Sequence, residues 1–235
     1  RVGYVSTDLD EDYAGEEDDD NNEELEDELS DYPVIAARIR RVLDTRGPNK
    51  DWPSEGQTRA GGLEVGYADG PLVKLTGQFS YYRQLQGSLI YRLNTEGALM
   101  PFDASDVGIS ERLFLGGTED LRGFAYRGAG PMAGKDDDVP IGGSTKLLVQ
   151  NELRFTILEN MGFSRRPTPL NGLVFADAGM LGRGPLELDS PRASIGAGLR
   201  INMKHFNVGV DFALPVLKQS DDLEQYIHFK ISSAF

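Results

Sequence analysis

The residue whose type and setting most invite chemistry is Arg122, in the stretch Glu111-Arg112-Leu113-Phe114-Leu115-Gly116-Gly117-Thr118-Glu119-Asp120-Leu121-Arg122-Gly123-Phe124. Gly116 and Gly117 let the backbone turn back with positive φ, which other residues resist. Leu121 and Phe124 are apolar, so a loop carrying them turns inward rather than staying in water. Arg122, followed by Gly123, then brings in a planar, permanently charged fork that matches a carboxylate. Such a loop needs a waiting acid and a hollow to enter.

Other chemistries fail on residue type. There is no cysteine and there are two histidines, so thiolate chemistry is excluded and no metal site is expected. Asp8, Asp10 and Asp12 have the alternate spacing that opens a calcium loop, but Tyr13 stands where that loop needs glycine. Loose attraction of divalent ions is the expectation there. Gly-x-Ser-x-Gly, a P-loop and His-Glu-x-x-His are all missing. Gly196-Ala197-Gly198-Leu199-Arg200 is an incomplete nucleotide fingerprint inside a strand, where its glycines are expected to admit close packing against the Arg122 loop. No enzyme and no cofactor are expected.

The elements that must position Arg122 are strands. The chain has 235 residues, 39% of them hydrophobic, and no apolar run reaches the roughly 20 residues of a spanning helix. Strand-like segments occupy 1–7, 33–43, 57–67, 71–83, 87–97, 146–157, 171–179, 192–203, 206–215 and 225–235. Turns are expected at Asp69-Gly70, near Arg83–Gln86 and at Lys204-His205. Alternation is clean: Ile195, Ala197, Leu199 and Ile201 oppose Ser194, Gly196, Gly198 and Arg200, and in the last segment Ile227, Phe229, Ile231 and Phe235 oppose His228 and Lys230. A period of two over so many segments means antiparallel sheet with one apolar and one polar face.

The polar set of glycine, serine, asparagine and charged residues makes a poor soluble surface and a reasonable wet lumen, so the expected fold is an all-β transmembrane barrel. The net charge of −14 comes mostly from residues 8–31, expected to be a mobile extracellular loop. Outside it the charges nearly balance, and nothing points to nucleic acid. Residues 98–145 form the long break that carries Arg122 into the lumen. The chain opens at Arg1 in strand-like sequence, which reads as the C-terminal piece of a longer protein.

Several blocks, in order, resemble the outer-membrane barrel-assembly family of BamA-type proteins and relatives. These are Asp44-Thr45-Arg46 with Pro53 and Gly56; Gly116-Gly117 with Leu121-Arg122-Gly123-Phe124; Gly130-Pro131; Pro140-Ile141-Gly142-Gly143; Asn151-Glu152-Leu153-Arg154-Phe155; Phe175-Ala176-Asp177-Ala178-Gly179; and Gly196-Ala197-Gly198-Leu199-Arg200. The ending Phe229-Lys230-Ile231-Ser232-Ser233-Ala234-Phe235 is similar to the terminal signal of outer-membrane barrels.

The resemblance implies about ten C-terminal strands of a barrel of about sixteen, lacking the first strands and the periplasmic POTRA repeats. It implies that Arg122 pairs with acids on the inner wall. Asp177 stands at the matching position, and Glu152, on the polar face of the strand after the loop, is the second candidate. It also implies a bacterial outer-membrane factor that folds and inserts other barrels. Its partners would be unfolded barrel clients, outer-membrane lipid, and periplasmic accessory lipoproteins and chaperones. A secretion or lipid-transport pore of the same superfamily remains open, and a passive porin fits the motifs less well.

Overall fold

The computed structural model describes residues 2–5, 32–47, 49–50, 52–133, 139–162, 168–188, 190–203 and 206–233. The acidic stretch 8–31 with its calcium-like spacing, the Lys204-His205 turn and Phe235 lie outside the described residues.

In chain order the strands are β1 (Val2–Val5), β2 (Tyr32–Asp44), β3 (Gly56–Ala68), β4 (Pro71–Gln86), β5 (Leu89–Leu99), β6 (Gly123–Phe124), β7 (Met132–Ala133), β8 (Val139–Pro140), β9 (Thr145–Leu158), β10 (Leu170–Gly182), β11 (Pro191–Asn202), β12 (Phe206–Leu217), β13 (Glu224–Gln225) and β14 (Ile227–Ser233). Ten of them form one sheet in the order β1-β2-β3-β4-β5-β9-β10-β11-β12-β14. Every neighbouring pair is antiparallel. Among the described residues β1 and β14 are the edges, and the sheet does not close on itself.

Two expected boundaries move. The turn expected near Arg83–Gln86 falls at Gly87-Ser88 instead, because Gly87 supplies the left-handed residue (φ 55°) and β4 runs straight through the polar Gln84 and Gln86. The last segment, expected as 225–235, divides. Glu224–Gln225 pairs with Gly123–Phe124, and only Ile227–Ser233 joins the main sheet.

The alternation sorts the side chains as a barrel in lipid does. On β14, Phe229 and Ile231 are 75% and 78% exposed, while His228 between β12 and the loop is 0% exposed. Phe212 and Leu214 on β12 and Ile195 and Leu199 on β11 face outward, and Asp211 and Ser194 face inward. Apolar outside and polar inside is the reverse of a soluble protein. No helix among the described residues is long and apolar enough to cross a membrane.

Part of the inner face is covered by the connection between β5 and β9. Its residues Met100, Val107, Leu113, Leu115, Leu121 and Phe124 are buried in one cluster with Val34, Leu72, Leu148 and Leu181 from the sheet. The apolar core of this molecule is thus a loop set against the polar wall. Two bonds between Leu113 and Gly143 clamp the neck of that loop.

Candidate functional site: the loop lock

The loop tip is shaped by glycine. Gly116, Gly117 and Gly123 have φ of 111°, 115° and 94°. A Cβ on Gly123 would sit 3.0 Å from the Cβ of Ser194, so the backbone there lies directly on β11. This conformation sends Leu121 and Phe124 into the apolar cluster and turns Arg122 onto the wall.

Three wall acids receive it. Asp177 on β10 accepts a fork from Arg122: Nε to Oδ2 at 2.7 Å and Nη2 to Oδ1 at 2.8 Å. Nη2 also lies 3.0 Å from Oε1 of Glu152 on β9, and Nη1 is 3.5 Å from Oδ2 of Asp211 on β12. The guanidinium carbon lies 3.5 Å from the centre of the Phe175 ring, which forms its floor. Burial opposes the charge on Arg122. The hydrogen bonds to Asp177 and the charges of Glu152, Asp177 and Asp211 outweigh that cost and hold the group above its ordinary pKa.

Strand register explains why these residues meet. Asp177 lies opposite Gln150 and Ser194, Phe175 opposite Glu152 and Gly196, and Leu173 opposite Arg154 and Gly198. Asp211 lies opposite Gly198 on one side and His228 on the other. The glycines of β11 do not serve the loop as expected. A Cβ on Gly196 would come 2.3 Å from the Phe175 ring, and one on Gly198 would come 1.8 Å from Oδ1 of Asp211. They clear space for the wall groups that hold Arg122, because the pair straddles the row where those side chains cross the strand.

Second partners fix the acids. Glu152 is also held by Arg92 (3.1 Å) and Arg154 (2.7 Å), and Asp211 by a fork from Arg200 (2.6 Å to each oxygen). Phe175 and Arg200 stand within the family-like blocks, but neither they nor Asp211 and Arg92 are identified there as belonging to the Arg122 site. The polar-face parity of Asp211 was visible, but nothing local in the sequence ties it to Arg122.

The tip also grips the terminal strand. The Gly123 N–H donates to Nε2 of His228 at 2.9 Å, and Nδ1 of that ring is 3.3 Å from Oγ1 of Thr118. Because Nε2 accepts, a neutral ring carries its proton on Nδ1 and donates it to Thr118. Phe124 pairs with Glu224, and Lys230 of β14 reaches Glu119 at 2.5 Å. On the other side Lys146 bonds Asp120 at 2.8 Å, and Gln150 donates to the Asp120 carbonyl at 2.6 Å. Burial raises the Asp120 carboxyl to about 6 despite Lys146.

Of the expected site residues, the structure brings Gly116, Gly117, Leu121, Arg122, Gly123 and Phe124 together with Asp177 and Glu152. Phe229 and Ile231 face away from this site, on the outer surface.

The Omp85 superfamily domain matches the chain over residues 1–235. Among solved structures, the crystal structure of BamA from Haemophilus ducreyi lacking POTRA domains 1–3 superposes with a TM-score of 0.72 at 17% identity, over 87% of this chain and 43% of that one. The chain therefore spans under half the length of the solved chain it matches, and the likeness is one of fold. No curated protein sequence matches significantly.

Proposed function

The chain belongs to the Omp85 superfamily, and from that premise we propose that it is the C-terminal part of a bacterial outer-membrane barrel that folds and inserts other barrel proteins. The observation that carries the reading is the joint between loop and edge. Arg122 is locked to β9, β10 and β12, while its neighbour Gly123 is bonded to β14, the strand at the edge of the sheet.

A strand edge facing lipid has unpaired N–H and C=O groups, each costing several kcal/mol. An unfolded client with the same problem can lend its own edge, and both costs fall while the two are paired. Such a barrel needs an edge that opens without the wall behind it collapsing. The lock supplies this: β9 to β12 are tied together through one guanidinium, and β14 is attached to the loop by separable polar contacts. No bond-making chemistry is required, so the activity is not enzymatic. The partners are unfolded barrel clients and outer-membrane lipid, with periplasmic lipoproteins and chaperones delivering the clients.

The test is the folding rate of an unfolded outer-membrane barrel in liposomes containing the full-length protein. Acceleration by wild type, reduced by Arg122→Ala, is expected. A correctly folded wild type that gives no acceleration, with accessory proteins supplied, would instead favour a secretion or lipid-transport pore of the same superfamily.

A further inference from the structure

Beneath the lock, toward the end of the sheet where β5 begins and β9 and β11 end, lies a cavity of about 130 Å³. Arg92, Arg154, Arg200 and Lys230 line it together with Trp52 and Asn207, and among the described residues no carboxylate does. Among the described residues the charges around it do not balance. Arg92, Arg122, Arg154 and Arg200 share three acids, Glu152, Asp177 and Asp211, all of which sit on the lock side. A further lining cation, Lys230, is paired with Glu119, a side chain 71% exposed.

We propose that this cavity is a binding site for a phosphate-type oxyanion. Guanidinium forks match phosphate oxygens as they match carboxylates, and a bound oxyanion would offset the one surplus positive charge. The volume holds several waters at about 30 Å³ each, which is room for a tetrahedral anion. Trp52 comes from the turn between β2 and β3 and lies under Arg154, 4.8 Å from ring centre to guanidinium carbon, so it forms one wall and reports on the site. Lys230 lies on the edge strand β14. The anion can therefore be free phosphate entering the lumen or the headgroup phosphate of a lipid entering beside that edge. The inference is independent of whether the protein assembles barrels or transports.

Trp52 is the only tryptophan among these 235 residues, so the difference in fluorescence between the full-length protein and its Trp52→Phe variant gives the readout. The protein in neutral detergent is titrated with inorganic phosphate. It is then placed in vesicles of phosphatidylcholine with and without phosphatidic acid. Saturable quenching by free phosphate identifies the soluble ion. A response only with phosphatidic acid identifies the headgroup. In either case Lys230→Gln, which leaves the Arg122 lock intact, should weaken binding about tenfold, the worth of one charge-assisted bond. Arg154→Gln should weaken it further. No response to either source, or one that Lys230→Gln and Arg154→Gln leave unchanged, would overturn the proposal.

Discussion

Two inner walls of this sheet use the same alternation and reach opposite states. Across β2 to β5 the inward groups Arg38, Arg40, Glu64, Lys74 and Glu96 surround an open cavity of about 250 Å³. Across β9 to β12 the inward groups close on Arg122 and leave it 2% exposed. Arg38 and Glu64 make an ion pair as short as those of Arg122, yet the Arg38 side chain is 60% exposed. The difference teaches that chemistry of contact does not set its worth here. On the open wall, water competes for Arg38, although its partner Glu64 is itself buried. On the closed wall, water has been replaced by the loop, and each charge depends on its protein partners.

The largest test of that contrast is Arg122→Ala. It strands Asp177 and part of Glu152 and should cost about 3–5 kcal/mol, read as a lower urea midpoint for the folded barrel in vesicles. Asp177→Ala should cost a similar amount, and the double variant should cost much less than the sum. Additive losses would show that the two do not interact. Arg122→Lys should rescue little, since an ammonium cannot form the fork.

Gly198→Val comes next. Its side chain would occupy the space of the Asp211 carboxylate, with a loss of about 1–3 kcal/mol. Arg200→Ala on top of it should add almost nothing, because the Arg200 pair is already broken. His228→Leu should cost about 1–3 kcal/mol by leaving the buried Gly123 N–H without its acceptor, and faster hydrogen exchange at that amide is the local readout.

The last tests concern Asp120 and Arg38. Asp120 holds its proton more tightly folded than unfolded, from its ordinary 3.8 up to about 6. Stability should therefore fall as pH rises through that window and level off above it. Asp120→Asn should flatten this slope. Arg38→Ala on the open wall should cost less than Arg122→Ala in the same urea titration, because water can enter the open cavity and solvate Glu64 in place of the lost guanidinium. A loss there equal to that of Arg122→Ala would erase the distinction between the walls.

Strand existence was readable because lipid and lumen demand opposite residues at adjacent positions. Ile195 beside Ser194, or Phe229 beside His228, leaves little freedom of face. Strand ends were less readable. The polar run Arg83 to Gln86 looks like a turn by composition, but the bend waits for Gly87, whose backbone can reverse. Arg122 and Asp177 were accessible through motif resemblance. The roles of Asp211, Arg200 and Arg92 were not, because their meeting depends on cross-strand register, a long-range property that no local stretch carries. Gly196 and Gly198 misled for the same reason: a glycine announces a close approach without saying what approaches.

The bond from Gly123 to His228 also has a temporal side. It joins residues 105 positions apart, and the contact of Arg122 with Asp211 joins residues 89 apart. Contacts so distant in the chain form late, after the loops between them have closed. The tip can seat fully only once β14 has been laid beside β12. The inserted loop thus acts as a completion mark: its docking reports that β14 is in place.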